Sequence, residues 1–479
     1  MSEETNSPEV AASQDDLADM IAEADTGGRN PTGSIPAKIL WVVPLLWALF
    51  QLWYVSPLPF IVNIPALLFN STEARSIHLA FAVFLSFVAF PSFKSSPRSY
   101  IPIQDWIMGL GGAFCAGYLF LFYRELSERP GLPTREDVII SIIGIVFVLE
   151  STRRALGPPL MVVAMVFLAY VFFGHLAPEV VAWKGASFNK AMSHFYLTTE
   201  GVYGIALGVS TSMVFLFVLF GSLLEKAGAG NYFIRVAFAL MGHMRGGPAK
   251  AAVVSSGMTG LVSGSAIANV VTTGTFTIPL MRKVGFSAEK AGAVEVASST
   301  NGQLTPPIMG AVAFLMVEYV GITYTEVITH AALPALISYM ALVYIVHLEA
   351  VKADMKGIPR KVVPKFIQSL MSFLITFIGL AVLTAVVYYG LGWMKGVFGE
   401  ATAWIAAVLV AAAYVGLVKY STLFPELEHD IEITELPEAG PTVKAGLYYL
   451  LPVVVLVWCL TVERLSPGLS AYYATVFML

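Results

Sequence analysis

An all-α, polytopic transmembrane fold follows from three features of the sequence. Of the 479 residues, 57% are hydrophobic and only 13% are charged, about half the roughly 25% charge of an ordinary soluble domain. The mean hydropathy is +0.74. Apolar stretches long enough to cross a hydrocarbon core of roughly 30 Å as helix recur along the chain. None alternates strictly between apolar and polar residues, so the sequence does not read as a barrel.

The elements follow in order. Met1 to Pro36 is polar and acidic and lacks a basic stretch leading into a short apolar core. It reads as a disordered cytoplasmic tail (1–36), not as a signal peptide. Spans are expected at 38–55, 76–93, 105–123 and 138–150, a four-helix region over 37–157. Further spans are expected at 158–174, 203–224, 308–320 and 334–349, which complete a segment 158–350. Spans at 366–389, 398–418 and 444–462 occupy 351–479. The last apolar run, from Leu469 to Leu479, is about half a span, and the chain therefore reads as the N-terminal portion of a longer one.

Charge supplies orientation. Lys352, Lys356, Arg360, Lys361 and Lys365 form the densest basic loop, which the positive-inside rule places in the cytoplasm. Threading the spans from there puts the N-terminus, Lys94, Arg98, Arg153, Arg154, Arg245, Lys250, Arg282 and Lys283 on the same side, with the acidic loop from Glu426 to Glu438. A net charge of −4 and a pI near 6.0 offer no field for nucleic acid. Cys115 and Cys459 alone exclude a disulfide framework or a cysteine zinc site. Neither H-E-x-x-H nor G-x-S-x-G occurs, and no P-loop does, so neither an intramembrane enzyme nor use of ATP is indicated. Ser287-Ala288-Glu289-Lys290 reads as a helix start. Asn70-Ser71-Thr72 is a sequon that short motifs produce by chance.

Two segments do not behave as spans. Residues 248–286 are apolar but broken at Ser263-Gly264-Ser265, and both ends carry cytoplasmic-type positives. They are expected to form a re-entrant hairpin of half-length helices with Ser263, Gly264 and Ser265 at its tip. Glycine lets backbone approach a ligand, and such backbone is tolerated in lipid only where it lines a cavity or binds something. Two small-residue packing helices are the alternative. Residues 287–321 are interrupted by Asn301-Gly302-Gln303-Leu304-Thr305-Pro306-Pro307. The prolines deprive the Gly302 and Gln303 carbonyls of their helical donors, and Thr305 is expected to cap a second half that begins at Pro306. A simple kink is the alternative. A hairpin followed by a broken helix is the arrangement that secondary transporters place at midplane ion and substrate sites. Glu295 is expected near membrane depth, either as a proton-coupling group or as a carboxyl hydrogen-bonded within the bundle.

"GVSTSMVFLFVLFGSLLEKAG", "GLVSGSAIANVVTTGTFTIPLMRKVGF" and "ASSTNGQLTPPIMGAVAF" resemble the large membrane subunit of tripartite ATP-independent periplasmic (TRAP) transporters. "LESTRRALGPPL" and "ERLSPGLSA" resemble the fused small-plus-large permease paired with TAXI binding proteins. The resemblance implies a prokaryotic inner-membrane permease that imports an organic anion down a Na⁺ or H⁺ gradient by an elevator movement. It implies an extracytoplasmic TAXI-type solute-binding protein as partner and no organic cofactor. Residues 37–157 would be the small-permease part, and 158–350 the first of two inverted repeats. The family's cation site, carried over by motif, falls on Ser263, Gly264, Ser265 and Asn269 with Ser299, Thr300, Asn301, Gly302 and Pro306, mostly through backbone carbonyls. No second hairpin and broken helix occurs before Leu479, so the resemblance assigns them to a C-terminal remainder of the permease. A non-transporting scaffold or half-permease is the other reading.

Overall fold

The computed structural model describes residues 28–93, 95–359, 401–424 and 436–479, with scattered positions between 367 and 399. Residues 1–27, Lys94, Arg360, Lys361, Lys365, much of the expected span 366–389 and the acidic stretch 425–435 lie outside the described residues. Among the described residues the regular elements are all helical. Among the described residues six helices are long and apolar enough to cross a membrane, or seven when a pair bent by 55° is counted as one span. Packing divides the chain into two compact units, one ending at Phe215 and one beginning at Leu216.

The first unit contains α1 (Ser34–Val55), α2 (Ser71–Ala89), α3 (Ile103–Leu121), α4 (Arg135–Leu156), α5 (Pro158–Phe173) and α6 (Phe188–Tyr196). The sequon at Asn70 is a capping box at the start of α2. Asn70 Oδ1 accepts from the Thr72 and Glu73 amides at 2.9 Å, and Glu73 Oε2 accepts from the Asn70 amide at 2.8 Å. The other end of α2 is closed by charge. Arg29 Nη1 donates to the Phe87 and Val88 carbonyls at 3.1 and 3.2 Å, where the helix presents its partial negative end. Arg29 and Arg154 both pair with buried Asp105, the latter at 2.9 Å, and Arg154 also reaches Glu150 at 2.8 Å.

This corrects the expectation of a disordered tail through Pro36. From Gly28 on the polar stretch is ordered, because the Arg29 side chain is buried against Asp105 and the α2 carbonyls. α6 went unread because its nine residues pack only one side inward, with Met192 and Tyr196 buried. α7 runs Ile205–Lys226 and carries a π-helical turn at Ser210–Val214.

The second unit begins within α7 and continues through α8 (Ala229–Met241), α9 (Gly247–Ser263), α10 (Ala266–Lys283) and α11 (Ala288–Gly302). α12 (Ala311–Gly321), α13 (Tyr324–Lys352), α14 (Ala401–Ser421) and α15 (Ala439–Ala445) follow. α16 (Leu447–Thr461) completes the bent pair with α15, and α17 (Pro467–Met478) ends the described chain. Ala249, Ala252, Val253, Met281, Phe286, Ala291, Val346 and Ala350 form a buried core that joins α9, α10, α11 and α13. α13 starts ten residues before the expected Pro334, because Thr323 and Glu326 form a capping box at its first turn.

Candidate functional site

Residues 247–283 form an antiparallel helical hairpin. Gly264 closes α9 with φ +59°, and Ser265 opens α10 by accepting from the Ala268 amide at 3.3 Å. Gly264 is the residue able to take that left-handed turn without a Cβ penalty. The two arms face each other through Asn269, whose Nδ2 donates to the Ser256 carbonyl and hydroxyl at 2.9 Å each. The arms have 17 and 18 residues, about 25–27 Å at 1.5 Å per residue. They are therefore longer than the half-length helices expected from the sequence.

The break after α11 extends further than Asn301 to Pro307. Residues 303–310 carry no helix, and the second half starts at Ala311 with Gly310 as its N-cap. Thr305 does not cap that half. Its amide donates to the Gly302 carbonyl at 3.1 Å and its hydroxyl to the Asn301 carbonyl at 2.9 Å, which extends α11 by a turn. The Gln303 carbonyl accepts from the Gly310 amide at 2.8 Å. The two carbonyls that the prolines strip of helical donors thus find other donors, and the oxygens expected to be vacant at those positions are engaged. The Pro307 and Ile308 carbonyls accept from the Tyr324 hydroxyl at 2.8 Å, which ties the unwound strand to α13.

Tip and break meet backbone to backbone. A Cβ on Gly264 would stand 2.3 Å from the Met309 carbonyl oxygen, one on Gly260 2.5 Å from Gly302 Cα, and one on Gly221 of α7 2.4 Å from the Val262 carbonyl oxygen. No side chain larger than hydrogen fits at these positions without moving main chain. A cavity of about 10 Å³ lies beside the hairpin, lined by Ser263, Thr259, Asn269, Thr272 and Glu225 among others. That is about the room one water needs. Among the described residues no group of three or more His, Cys, Asp or Glu could hold a metal ion. Oxygen donors of the hydroxyl, amide and carbonyl kind suit a hard cation.

The nine residues singled out in the sequence do not form one cluster. Gly264 and Gly302 lie at the meeting of tip and break, and Asn269 Nδ2 would be 3.6 Å from a Cβ on Gly302. Ser299 sits beside the hairpin, its Oγ 3.0 Å from Ser256 Oγ. Ser263 and Asn269 line the small cavity. Ser265 is spent as a cap. Thr300 is exposed and donates to the Val296 carbonyl at 2.7 Å, while Asn301 Oδ1 accepts from Ser338 Oγ of α13 at 2.9 Å. Pro306 is half-buried in the unwound segment.

Glu295 is wholly buried, and its carboxylate accepts from Thr273, from Thr277 at 2.5 Å and from Ser299 at 3.2 Å. Ser256, Thr273 and Thr277 were not singled out in the sequence. Their spacing on α9 and α10 carries no signal until the hairpin brings the arms together.

Residues 143–476 match the family described as "Tripartite ATP-independent periplasmic transporter, DctM component". The chain is 28% identical over 260 residues to the sialic acid TRAP transporter large permease protein SiaM of Vibrio cholerae, which covers 54% of this chain and 58% of that one. It is 25% identical over 222 residues to the C4-dicarboxylate TRAP transporter large permease protein DctM of the same organism, covering 46% and 44%. It is 32% identical over 99 residues to the ectoine TRAP transporter large permease protein TeaC of Halomonas elongata, covering 21% and 23%. The chain spans about half the length, or less, of these curated relatives. With the family matched over most of its residues, the chain belongs to the DctM component family of TRAP transporters, a family of membrane permeases and not of enzymes.

Proposed function

We propose that this chain is the membrane permease component of a binding-protein-dependent secondary transporter that imports an organic anion with a Na⁺ or H⁺ gradient. The observation that carries the reading is the meeting of the hairpin tip at Gly264 with the unwound strand at Met309, backbone against backbone. A folded-back loop against a broken helix is what ion-coupled transporters place at their binding sites. The cation is held by oxygens at the tip, from among Ser263, Gly264, Ser265, Asn269, Ser299, Thr300, Asn301, Gly302 and Pro306. Asn269, Ser263, Gly264 and Gly302 have the best claim by position. The relatives named for sialic acid and C4-dicarboxylate favour a carboxylate-bearing solute, and the one named for ectoine widens the range.

In this reading the hairpin and broken helix belong to a transport body that moves elevator-fashion. Residues 37–157 are the fused small-permease part, an extracytoplasmic binding protein of the TAXI type delivers the solute, and a further inverted half of the permease completes the site. The chain lies in a prokaryotic inner membrane with its N-terminus in the cytoplasm. The test is uptake into proteoliposomes of the full permease with its cognate binding protein, under an inward Na⁺ gradient or a pH gradient alone. Accumulation under one gradient that collapses with its ionophore supports the reading. Accumulation that persists when both gradients are absent overturns it.

A further inference from the structure

The hydrogen bonds between the hairpin and α11 have a direction. Asn269 Nδ2 lies 2.9 Å from the Ser256 carbonyl, which only accepts, and 2.9 Å from Ser256 Oγ. Both amide protons of Asn269 are therefore directed at Ser256. Ser256 Oγ, already an acceptor, has one proton to give, and Ser299 Oγ lies 3.0 Å away. Ser299 in turn gives its proton to Glu295 Oε1 at 3.2 Å. The chain of donors runs Asn269 to Ser256 to Ser299 to Glu295 and ends on a carboxylate, which accepts. All four residues are buried, with exposures of 2% for Asn269 and 0% for the rest. The polarity is fixed twice, by a main-chain carbonyl at one end and by the carboxylate at the other.

From this geometry we infer that Glu295 and Ser256 are positioning residues that hold Asn269 with its Oδ1 oxygen, and not its Nδ2 nitrogen, available to a cation. The inference rests on the cation-coupled reading above and goes beyond it, since neither residue touches the ion. Asn269 lines the small cavity together with Ser263, Thr259, Thr272 and Glu225, an oxygen-rich wall. An amide turned the other way would present two N–H donors to a cation and repel it. The carboxylate of Glu295 stays inside the hydrogen-bonded chain, held also by Thr273 and by Thr277 at 2.5 Å.

The test is the Na⁺ dependence of thermal unfolding of the purified full-length permease, with choline chloride keeping ionic strength constant. Binding to the folded state raises the unfolding temperature with a midpoint set by affinity. Ser256→Ala removes one of the two acceptors of the Asn269 amide, leaves only the main-chain carbonyl to hold it, and should raise the Na⁺ midpoint about tenfold, the loss typical when an outer partner of an ion ligand is removed. Glu295→Ala should do the same. Glu295→Gln should stay near wild type, because its Oε1 can still accept from Ser299 and Thr273 while its Nε2 donates to Thr277, whose proton turns to the Thr273 carbonyl at 2.9 Å.

The unfolding temperature in choline alone reports any purely structural damage separately. An unchanged Na⁺ midpoint in Ser256→Ala, whatever its stability in choline, overturns the inference while leaving Na⁺ coupling standing. A wild-type protein with no Na⁺ response overturns the inference together with the Na⁺ form of the proposed function.

Discussion

Alanine in place of Gly260 tests the close approach of the hairpin to the broken helix. Its Cβ would lie 2.5 Å from Gly302 Cα, and the next neighbours, Gly302 N and C, stand at 3.6 and 3.5 Å. The obstructing atom is main chain of the last residue of α11, so it cannot swing aside as a side-chain tip would. Relief requires α9 and α11 to part by roughly 1 Å along much of their contact, in the range where overpacking costs about 1–3 kcal/mol. For a unit of this size each kcal/mol lowers the unfolding temperature by about 2–4 °C. Gly292→Ala is the control, because it lies in α11, the helix that Gly260 meets, and its Cβ would meet nothing within 4 Å. It should stabilise by up to about 1 kcal/mol through helix propensity alone. Thermal unfolding of both variants in detergent, followed by intrinsic fluorescence, gives the comparison. A Gly260→Ala protein as stable as wild type would show that the two backbones do not touch as described. A destabilised Gly292→Ala would show that the space around Gly292 is not open as described.

Three further outcomes are expected. Gly264→Ala should destabilise through both its left-handed φ of +59° and the Met309 carbonyl 2.3 Å from the new Cβ, by about 1–3 kcal/mol, read as a lowered unfolding temperature. Asp105→Ala should cost about 3–5 kcal/mol, since it leaves Arg29 buried without its carboxylate; recovery of folded protein at wild-type yield and stability would contradict this. Single cysteines at Arg245 and Lys283 should be labelled from one face of sealed vesicles, because a hairpin begins and ends on one side. Arg245 is preferable to Lys250 here, as its side chain is 47% exposed whereas Lys250 is only 6% exposed.

What was legible in the sequence was whatever local chemistry decides. Ser263-Gly264-Ser265 reads as a turn because glycine alone takes a positive φ freely, and the tip falls there. Pro306-Pro307 reads as a break because proline cannot donate, and helix is absent from 303 to 310. The partners of the stripped carbonyls were not legible, because Gly310 reaches back seven residues to Gln303 only after the strand has turned. α8 was missed for a length reason. Its 13 residues, about 20 Å of helix, fall short of a span, yet it is buried on most of its surface within the second unit. Arg29 falls within the expected disordered tail, because the carboxylate that orders it lies 76 positions away at Asp105. Ser256 gave no sign at all, since its role depends on an amide from the opposite arm and a hydroxyl from another helix.

Under the proposed function, the glycine contacts also constrain how a transport cycle would run. Gly264 against Met309, Gly260 against Gly302, and Gly221 against Val262 place hydrogen where any side chain would strike main chain. To move the hairpin alone would separate all three contacts and break the buried bonds that cross to α11, from Ser256 to Ser299 and from Thr273 and Thr277 to Glu295. Each broken bond there would leave a polar group without water to replace the partner, at about 1–3 kcal/mol apiece. Movement of hairpin, α11, the unwound strand and the Gly221 turn of α7 as one body leaves those contacts intact and transfers the work to whatever surface that body slides against. Under the proposed function, the structure therefore favours carrying the site over opening it, which is the sense in which an elevator differs from a gate.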